Sequence, residues 1–135
     1  MSDNLKIGYL RNPAGATKRF CQFLRLNAQT LDQYKYWHDS SHIWKEIPEG
    51  IRRAGILDME IYVIEDMAFM ILETPVDFEW DEAFGQLATF ERQAEWESFV
   101  GQFQVTTDGQ RSDEKWKLVE RIFSLDEALL NNVVK

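Results

Sequence analysis

Apolar residues recur along the chain with two different spacings. Apolar runs that alternate with polar residues are typical of β-strands, whereas apolar residues at i, i+3, i+4 and i+7 indicate amphipathic helices. Strand-like runs occupy residues 19–26, 57–64, 67–74 and 117–125. Helix-like runs occupy residues 31–38, 43–53, 78–87 and 90–103. The pattern therefore predicts the order strand, helices, strand, strand, helices, strand.

Short breaker segments support this division of the chain. Only Glu65 and Asp66 separate the two middle strands, and so short a turn predicts an antiparallel hairpin. Gly55 follows the second helix as an expected C-cap. Pro48 falls inside that helix and is expected either to start its regular part or to bend it.

The order β-α-β-β-α-β is that of ferredoxin-like α+β domains, in which helices cover one face of a four-stranded antiparallel sheet. The other face of the sheet then has to be covered. In small domains of this kind two sheets often pack face to face, which forms a dimeric α+β barrel. A ligand can bind between the sheet and the helices.

Length and charge narrow the classes of protein to consider. The 135 residues fit one domain, expected at residues 18–135 with a short C-terminal tail, behind an extended or mobile arm at residues 1–17. The net charge of −8 argues against nucleic acid and anionic membranes as partners. No apolar run approaches the roughly 18 residues of a transmembrane helix, and no signal peptide is evident. With a single cysteine, Cys21, the chain is expected to be cytoplasmic.

Aromatic residues are the one compositional excess, since they make up 13% of the chain and include five tryptophans. Among them, Tyr34 and His38 stand one helical turn apart, near Trp37 and Trp44. A base of near-neutral pKa beside a phenol in an aromatic frame suits a sugar, which has an apolar face and a rim of hydroxyls. In the other interpretation Tyr34 is a core residue and His38 merely ends a helix. Spacing alone favours this second interpretation.

The two histidines of the chain also have the spacing of a metal-binding pair. His42 follows His38 by four residues, which on one continuous helix would place both rings on the same face. Ser40 and Ser41 interrupt the helix, however, so an exposed or capping His42 is the expected arrangement.

Several acidic residues are candidates for a different role. Glu60 and Glu73 lie in apolar strands, where a carboxylate needs either a partner or a pocket. Glu91, Glu95 and Glu97 lie in the fourth helical run and are expected to form a solvated helix face.

Seven short motifs occur in a fixed order between residues 19 and 125. They are Tyr34-x-x-x-His38, Ile43-Trp44-x-Glu46-Ile47, Gly55-Ile56, Glu60-Ile61-Tyr62, Phe69-Met70-Ile71-Leu72-Glu73, Trp96 and Val119-Glu120-Arg121-Ile122-Phe123. This ordered set resembles the L-rhamnose mutarotase family. The resemblance implies a homodimeric α+β barrel with a sugar pocket in each subunit. It also implies interconversion of the α and β anomers of a 6-deoxy-L-hexose by acid–base ring opening, without a metal or cofactor.

The resemblance also implies roles for particular residues. His38 matches the histidine that donates a proton in the family, and is the expected catalytic residue. The expected substrate-binding residues are Tyr34, Trp96, Met59, Glu73 and Trp44. The base that removes the anomeric proton is left open among Glu73, Glu60 and a water molecule.

Three departures from the family pattern concern the sugar-facing positions. Rhamnose enzymes of the family commonly have a tyrosine where this chain has Met59, and a second tryptophan where it has Glu97. The segment between His38 and Ile43 is also longer here, and it adds His42. These departures make L-fucose an expected substrate beside L-rhamnose.

Two other functions are compatible with the same fold, because function resides in sites rather than in folds. One is a cofactorless monooxygenase, which would also bury an aromatic pocket in a dimeric barrel. The other is a sugar-binding module without catalytic activity.

Overall fold

Five strands form one antiparallel sheet in the computed structural model, which describes residues 5–11, 16–106 and 110–134. The strands are β1 (Tyr9–Leu10), β2 (Thr17–Arg25), β3 (Asp58–Ile64), β4 (Met67–Pro75) and β5 (Lys117–Val119). β2 pairs with β4 along its whole length, and β4 pairs with β3. β5 and β1 pair with two separate parts of the other edge of β2. The order β3-β4-β2-β5 confirms the predicted four-stranded ferredoxin-like sheet, to which β1 is added.

The helices connect these strands in the predicted order. They are α1 (Leu31–His38), α2 (Glu46–Arg53), α3 (Trp80–Leu87), α4 (Gln93–Gly101), the single turn α5 (Ser112–Lys115) and α6 (Leu125–Val134). The four predicted helices are confirmed, with ends that differ by no more than three residues. Within the part of the chain that the structure describes, no helix is long and apolar enough to cross a membrane.

The two faces of the sheet differ in chemistry, because successive residues of a strand point to opposite sides. The inner face carries the buried residues Phe20, Gln22 and Leu24 of β2 and Ala68, Met70, Leu72 and Thr74 of β4. The outer face carries the half-buried residues Cys21 and Phe23 of β2 and Phe69, Ile71 and Glu73 of β4. Helices α1 to α4 pack on the inner face and form one hydrophobic core with it.

Two glycines and one proline fit the backbone they occupy. Ala54 is the C-cap of α2, and Gly55, the predicted C-cap, follows it with a left-handed φ of +101° that ends the helix. Gly8 has a φ of +82°, and a Cβ atom there would lie 2.6 Å from the Phe20 ring. β1 therefore reaches the sheet edge because residue 8 has no side chain. Pro48 lies in the first turn of α2, where its missing N–H removes no helical hydrogen bond.

The two ends of the chain differ from the predictions. The predicted arm at residues 1–17 contains β1, and its residues 1–4 and 12–15 lie outside the described residues. The last strand ends at Val119 instead of residue 125. The reason is that β1 already pairs with Arg19 and Lys18, the part of the β2 edge that a longer β5 would need. The following residues leave the sheet, and the tail forms the ten-residue helix α6, which has nearly three turns.

The packing of the inner face predicts a large loss of stability when a central side chain is shortened. Leu72 is 0% exposed on β4. Leu72→Ala is expected to lower the free energy of unfolding by about 3 kcal/mol, since it removes buried apolar atoms and leaves a cavity. Val76→Ala, at an exposed turn position, is the control and is expected to change it by less than about 0.5 kcal/mol. Denaturant unfolding measures both, and equal effects would contradict this account of the core.

Candidate active site

A cavity of about 380 Å³ lies between the inner face of the sheet and the helices. Apolar side chains from β3, β4 and α2 form much of its wall, among them Met59, Ile61, Met70, Ile47 and Ile51. Polar side chains that line it include Gln22, Tyr34, His38, Gln93, Glu97 and Gln104. A largely apolar cavity with a few converging polar groups is the usual form of a small-molecule site.

His38 is the ionisable group best placed for proton transfer. It is the last residue of α1, and its Nδ1 lies 2.7 Å from the Tyr34 carbonyl oxygen. Since a carbonyl oxygen only accepts, Nδ1 donates the hydrogen, and in the neutral ring the lone pair is on Nε2. Burial lowers the pKa of His38 below its ordinary value of 6.5, and the bond to the Tyr34 carbonyl opposes this effect. The neutral ring with a free Nε2 lone pair therefore predominates at pH 7.

Tyr34 places a phenol beside this imidazole. The Tyr34 ring is 1% exposed, and its centre lies 4.1 Å from that of His38. Burial raises the pKa of Tyr34, so the hydroxyl keeps its proton. Among the described residues, neither this hydroxyl nor the buried Oε1 of Gln104 has a hydrogen-bond partner of normal geometry, although the two side chains are near neighbours. Buried polar atoms usually have partners, so both are available to a hydroxylated ligand.

Trp96 forms the aromatic wall next to these groups, and Trp44 supports it from behind. Trp96 lines the cavity from α4, with its ring centre 5.3 Å from that of His38. Trp44 packs edge-to-face on Trp96 at 5.1 Å but is not part of the cavity wall. The Arg92 guanidinium covers Trp44 at 4.0 Å. The structure therefore places Trp44, an expected substrate-binding residue, behind Trp96 and outside the cavity wall.

The two strand carboxylates lie away from the cavity. Glu73 is on the outer face, where the guanidinium groups of Arg11 and Arg19 lie 3.4 and 3.9 Å from its carboxylate. Glu60 is exposed on β3 and accepts a hydrogen bond from the Tyr62 hydroxyl at 2.8 Å. Glu73 was expected to bind substrate; the alternation of β4 places it on the side of the sheet opposite the cavity. Alternation along β3 places Met59, another expected substrate-binding residue, in the cavity wall.

The structure brings three glutamines and one glutamate to the cavity that sequence reasoning did not select. Glu97 was expected on a solvated helix face, yet only 13% of its side chain is exposed. It contacts the Lys115 ammonium at 2.9 Å and accepts from Gln93 Nε2 at 2.6 Å. Burial raises the pKa of the Glu97 carboxyl, while Lys115 acts in the opposite direction. A sequence signal existed for Gln22, a polar residue between apolar residues of a strand; for Gln104 there was none.

His42 belongs to a different environment from His38. Its ring stacks on Tyr36 at 3.9 Å, and its Nδ1 lies 3.1 Å from the Asp39 carboxylate. Because α1 ends at His38, the two histidines do not share a helix face. Across residues 5–11, 16–106 and 110–134, no three His, Cys, Asp or Glu side chains are grouped as metal ligands would be.

Comparison with known proteins agrees with this geometry. The family model described as L-rhamnose mutarotase matches residues 19–125. The chain belongs to the L-rhamnose mutarotase family. It is 32% identical to an L-fucose mutarotase of Xanthomonas campestris pv. campestris, over 83% of this chain and 91% of that protein. It is 30% identical to an L-rhamnose mutarotase of Burkholderia orbicola, over 76% of this chain and 93% of that protein.

Two solved structures share the fold. An L-rhamnose mutarotase from Formosa agariphila matches with a TM-score of 0.61 and 20% identity, covering 80% of this chain and 98% of that chain. Tetracenomycin F2 cyclase from Streptomyces glaucescens, a type-II polyketide cyclase, matches with a TM-score of 0.50 and 17% identity, covering 78% and 94%. At these identities the likeness concerns the fold alone.

The environment of His38 in this family member predicts its titration and its tautomer. In ¹H–¹⁵N NMR spectra recorded against pH, the His38 ring is expected to titrate below its ordinary pKa of 6.5, because burial disfavours the charged form. Above that pKa the ring is expected to be the Nδ1–H tautomer, held by the Tyr34 carbonyl. A pKa above 6.5, or a neutral ring protonated on Nε2, would contradict this description of the site.

Proposed function

We propose that this protein is a mutarotase that interconverts the α and β anomers of a 6-deoxy-L-hexose. The observation that carries the proposal is the imidazole of His38, which borders the cavity with Nδ1 tied to the Tyr34 carbonyl and Nε2 available for proton exchange. Membership of the L-rhamnose mutarotase family supports it.

The cavity wall suits the two sides of a pyranose. The Trp96 ring and apolar residues such as Met59 offer a surface on which the C–H face of a sugar can pack. The Tyr34 hydroxyl donates and accepts hydrogen bonds, and the side-chain oxygen Oε1 of Gln104 accepts them, so both can bind sugar hydroxyls. Binding a hydroxylated ligand would also provide well-aligned partners, which these two buried atoms lack among the described residues.

Ring opening needs one proton to move between two oxygens bonded to the same carbon. The anomeric O–H loses its proton and becomes the aldehyde oxygen, while the bond from the anomeric carbon to the ring oxygen breaks. The electron pair of that bond stays on the ring oxygen, which takes up a proton. In our proposal the neutral His38 accepts the first proton on Nε2, and the resulting imidazolium donates a proton to the ring oxygen. Closure on the other face of the aldehyde reverses both transfers.

Tyr34 supports this exchange without changing its own protonation state. Burial raises the pKa of the phenol, so it remains a hydrogen-bond donor. It can donate to whichever sugar oxygen carries the developing negative charge, and a fixed donor in a dry site stabilises such charge strongly. This arrangement needs neither Glu73 nor Glu60, both of which face away from the cavity.

L-Fucose and L-rhamnose, which are both 6-deoxy-L-hexoses, are proposed as substrates. The relatives include an L-fucose mutarotase and an L-rhamnose mutarotase at nearly equal identity. L-Fucose and L-rhamnose share the methyl group at C5 and differ at C2 and C4. The methyl group suits the apolar wall that includes Met59 and Ile61.

Removal of the imidazole tests the proposal. His38→Asn is expected to lower protein-dependent anomer exchange at least about a hundredfold, because general acid–base catalysis is lost. Magnetisation-transfer NMR between the anomeric protons measures the exchange, and circular dichroism checks the fold. His42→Asn is the control and is expected to retain the wild-type rate, since His42 lies outside the cavity wall. Undiminished exchange by a folded His38→Asn variant would remove His38 from the mechanism. Sugar binding without any exchange by the wild type would instead favour a binding module.

We also propose that a second copy of the chain covers the outer face of the sheet. The rings of Phe23 and Phe69 lie 5.3 Å apart on this face, and Ile71 lies beside them. Tyr62 and Ile64 extend the apolar surface along β3, with more than half of each residue exposed. An apolar surface of this extent is typical of an interface. Two such faces packed together form the barrel that the family resemblance implies.

The proposed dimer predicts the effect of a charge at the centre of the outer face. Phe69→Glu is expected to convert the protein from dimer to monomer, because an unpaired carboxylate would be buried between the sheets. Light scattering coupled to size-exclusion chromatography measures the mass. Val76→Glu, at an exposed turn outside this face, is expected to remain a dimer. A monomeric wild type at micromolar concentration would contradict the proposal.

A further inference from the structure

The carboxylate of Glu97 is held in one orientation from two sides. Its Oε1 lies 2.9 Å from the Lys115 Nζ, and its Oε2 accepts a hydrogen bond from Gln93 Nε2 at 2.6 Å. The Lys115 ammonium also donates to the carbonyl oxygen of Glu97 at 2.6 Å. Only 13% of the Glu97 side chain and 3% of the Lys115 side chain are exposed.

Glu97 stands between two cavities. Beside the 380 Å³ cavity lies a second one of about 250 Å³. Gln93 and Glu97 line both cavities, whereas Lys115 lines only the second. The cation therefore approaches the carboxylate from the side of the second cavity, and the carboxylate also borders the cavity that contains His38.

The ion pair has unused hydrogen-bonding capacity. A carboxylate has about four acceptor positions, and Lys115 and Gln93 occupy one on each oxygen. A buried ion pair is often no more stabilising than apolar residues of the same volume, so stability does not explain this one. The same cavity holds the Tyr34 hydroxyl and Gln104 Oε1, which have no hydrogen-bond partner of normal geometry among the described residues. The charge of Glu97 is close enough to raise the pKa of the Tyr34 phenol, in addition to burial.

We propose that Glu97 accepts a hydrogen bond from a ring hydroxyl of the sugar and is a specificity-determining residue of this site. Lys115 and Gln93 are positioning residues that hold the carboxylate in its orientation. A carboxylate offers acceptor positions and no donor, so it selects sugars with a hydroxyl placed to donate to it. The inference rests on the proposed function, because it names a contact to the same substrate.

The test compares sugars as well as protein variants. The parent sugar is L-fucose or L-rhamnose, whichever the wild type binds more tightly. The four probes are this parent sugar and its 2-deoxy, 3-deoxy and 4-deoxy analogues. Glu97→Gln is expected to weaken binding of the parent sugar at least about tenfold, as the loss of a hydrogen bond to a charged group does. For one deoxy analogue, wild type and Glu97→Gln are expected to bind equally, because the hydroxyl that contacts Glu97 is missing. In exchange kinetics the effect is expected in KM, with kcat within about threefold of the wild type.

Two further variants separate a substrate contact from a structural role. Glu95→Gln makes the same chemical change on the same helix, at a side chain that is 61% exposed, and is expected to leave all affinities unchanged. If Glu97→Gln fails to fold because Lys115 loses its partner, the double variant Glu97→Gln/Lys115→Met removes both charges together. The double variant is expected to fold and to show the same pattern of affinities for the four sugars as is expected for Glu97→Gln.

The possible results have distinct meanings. A folded Glu97 variant that binds all four sugars as the wild type does would overturn the inference. An equal loss of affinity for all four would also overturn it, since that result indicates a structural effect. If the wild type binds these sugars without exchanging their anomers, the proposed function fails, but the affinities still decide the role of Glu97. If it binds none of them, both proposals fail.

Discussion

The pairing of β2 with β4 is the contact on which the rest of the molecule depends. The two strands run antiparallel in register along nine residues, from Thr17 opposite Pro75 to Arg25 opposite Met67. Because side chains alternate, this register sends Gln22 and Met70 towards the helices and Phe23 and Phe69 to the other side. A shift of one residue would exchange the two faces. The register therefore determines both the wall of the cavity and the surface available to a second subunit.

The site combines this sheet with one polar contact at the end of a helix. The bond from His38 Nδ1 to the Tyr34 carbonyl fixes which imidazole nitrogen exchanges protons, and burial keeps the ring neutral near pH 7. Helix α4 supplies Trp96 as an apolar wall and Glu97, one position later, as an anionic one. The proposed chemistry and the proposed specificity thus depend on neighbouring parts of one cavity, while the outer face remains free for assembly.

Local patterns predicted most of the fold, whereas the roles of the site residues were implied by the family resemblance. The two-residue turn at Glu65 and Asp66 specified the hairpin, and the one-turn spacing of Tyr34 and His38 specified their contact. The position of Glu73 on the outer face was not predictable, because a mostly apolar strand does not reveal which of its faces the helices cover. The burial of Glu97 was missed because it depends on a lysine 18 residues away. The early end of β5 depends on competition with β1 for the same edge, which no local pattern records.

The most direct test of the account is anomer exchange by the wild-type protein across a panel of sugars. Magnetisation transfer between the α and β anomeric protons should be measured for L-rhamnose, L-fucose and common aldoses such as D-glucose. The account predicts exchange that rises in proportion to protein concentration for at least one of the two 6-deoxy-L-hexoses, and faster than for the other aldoses. Exchange at the spontaneous rate for every sugar, at all protein concentrations, would contradict it.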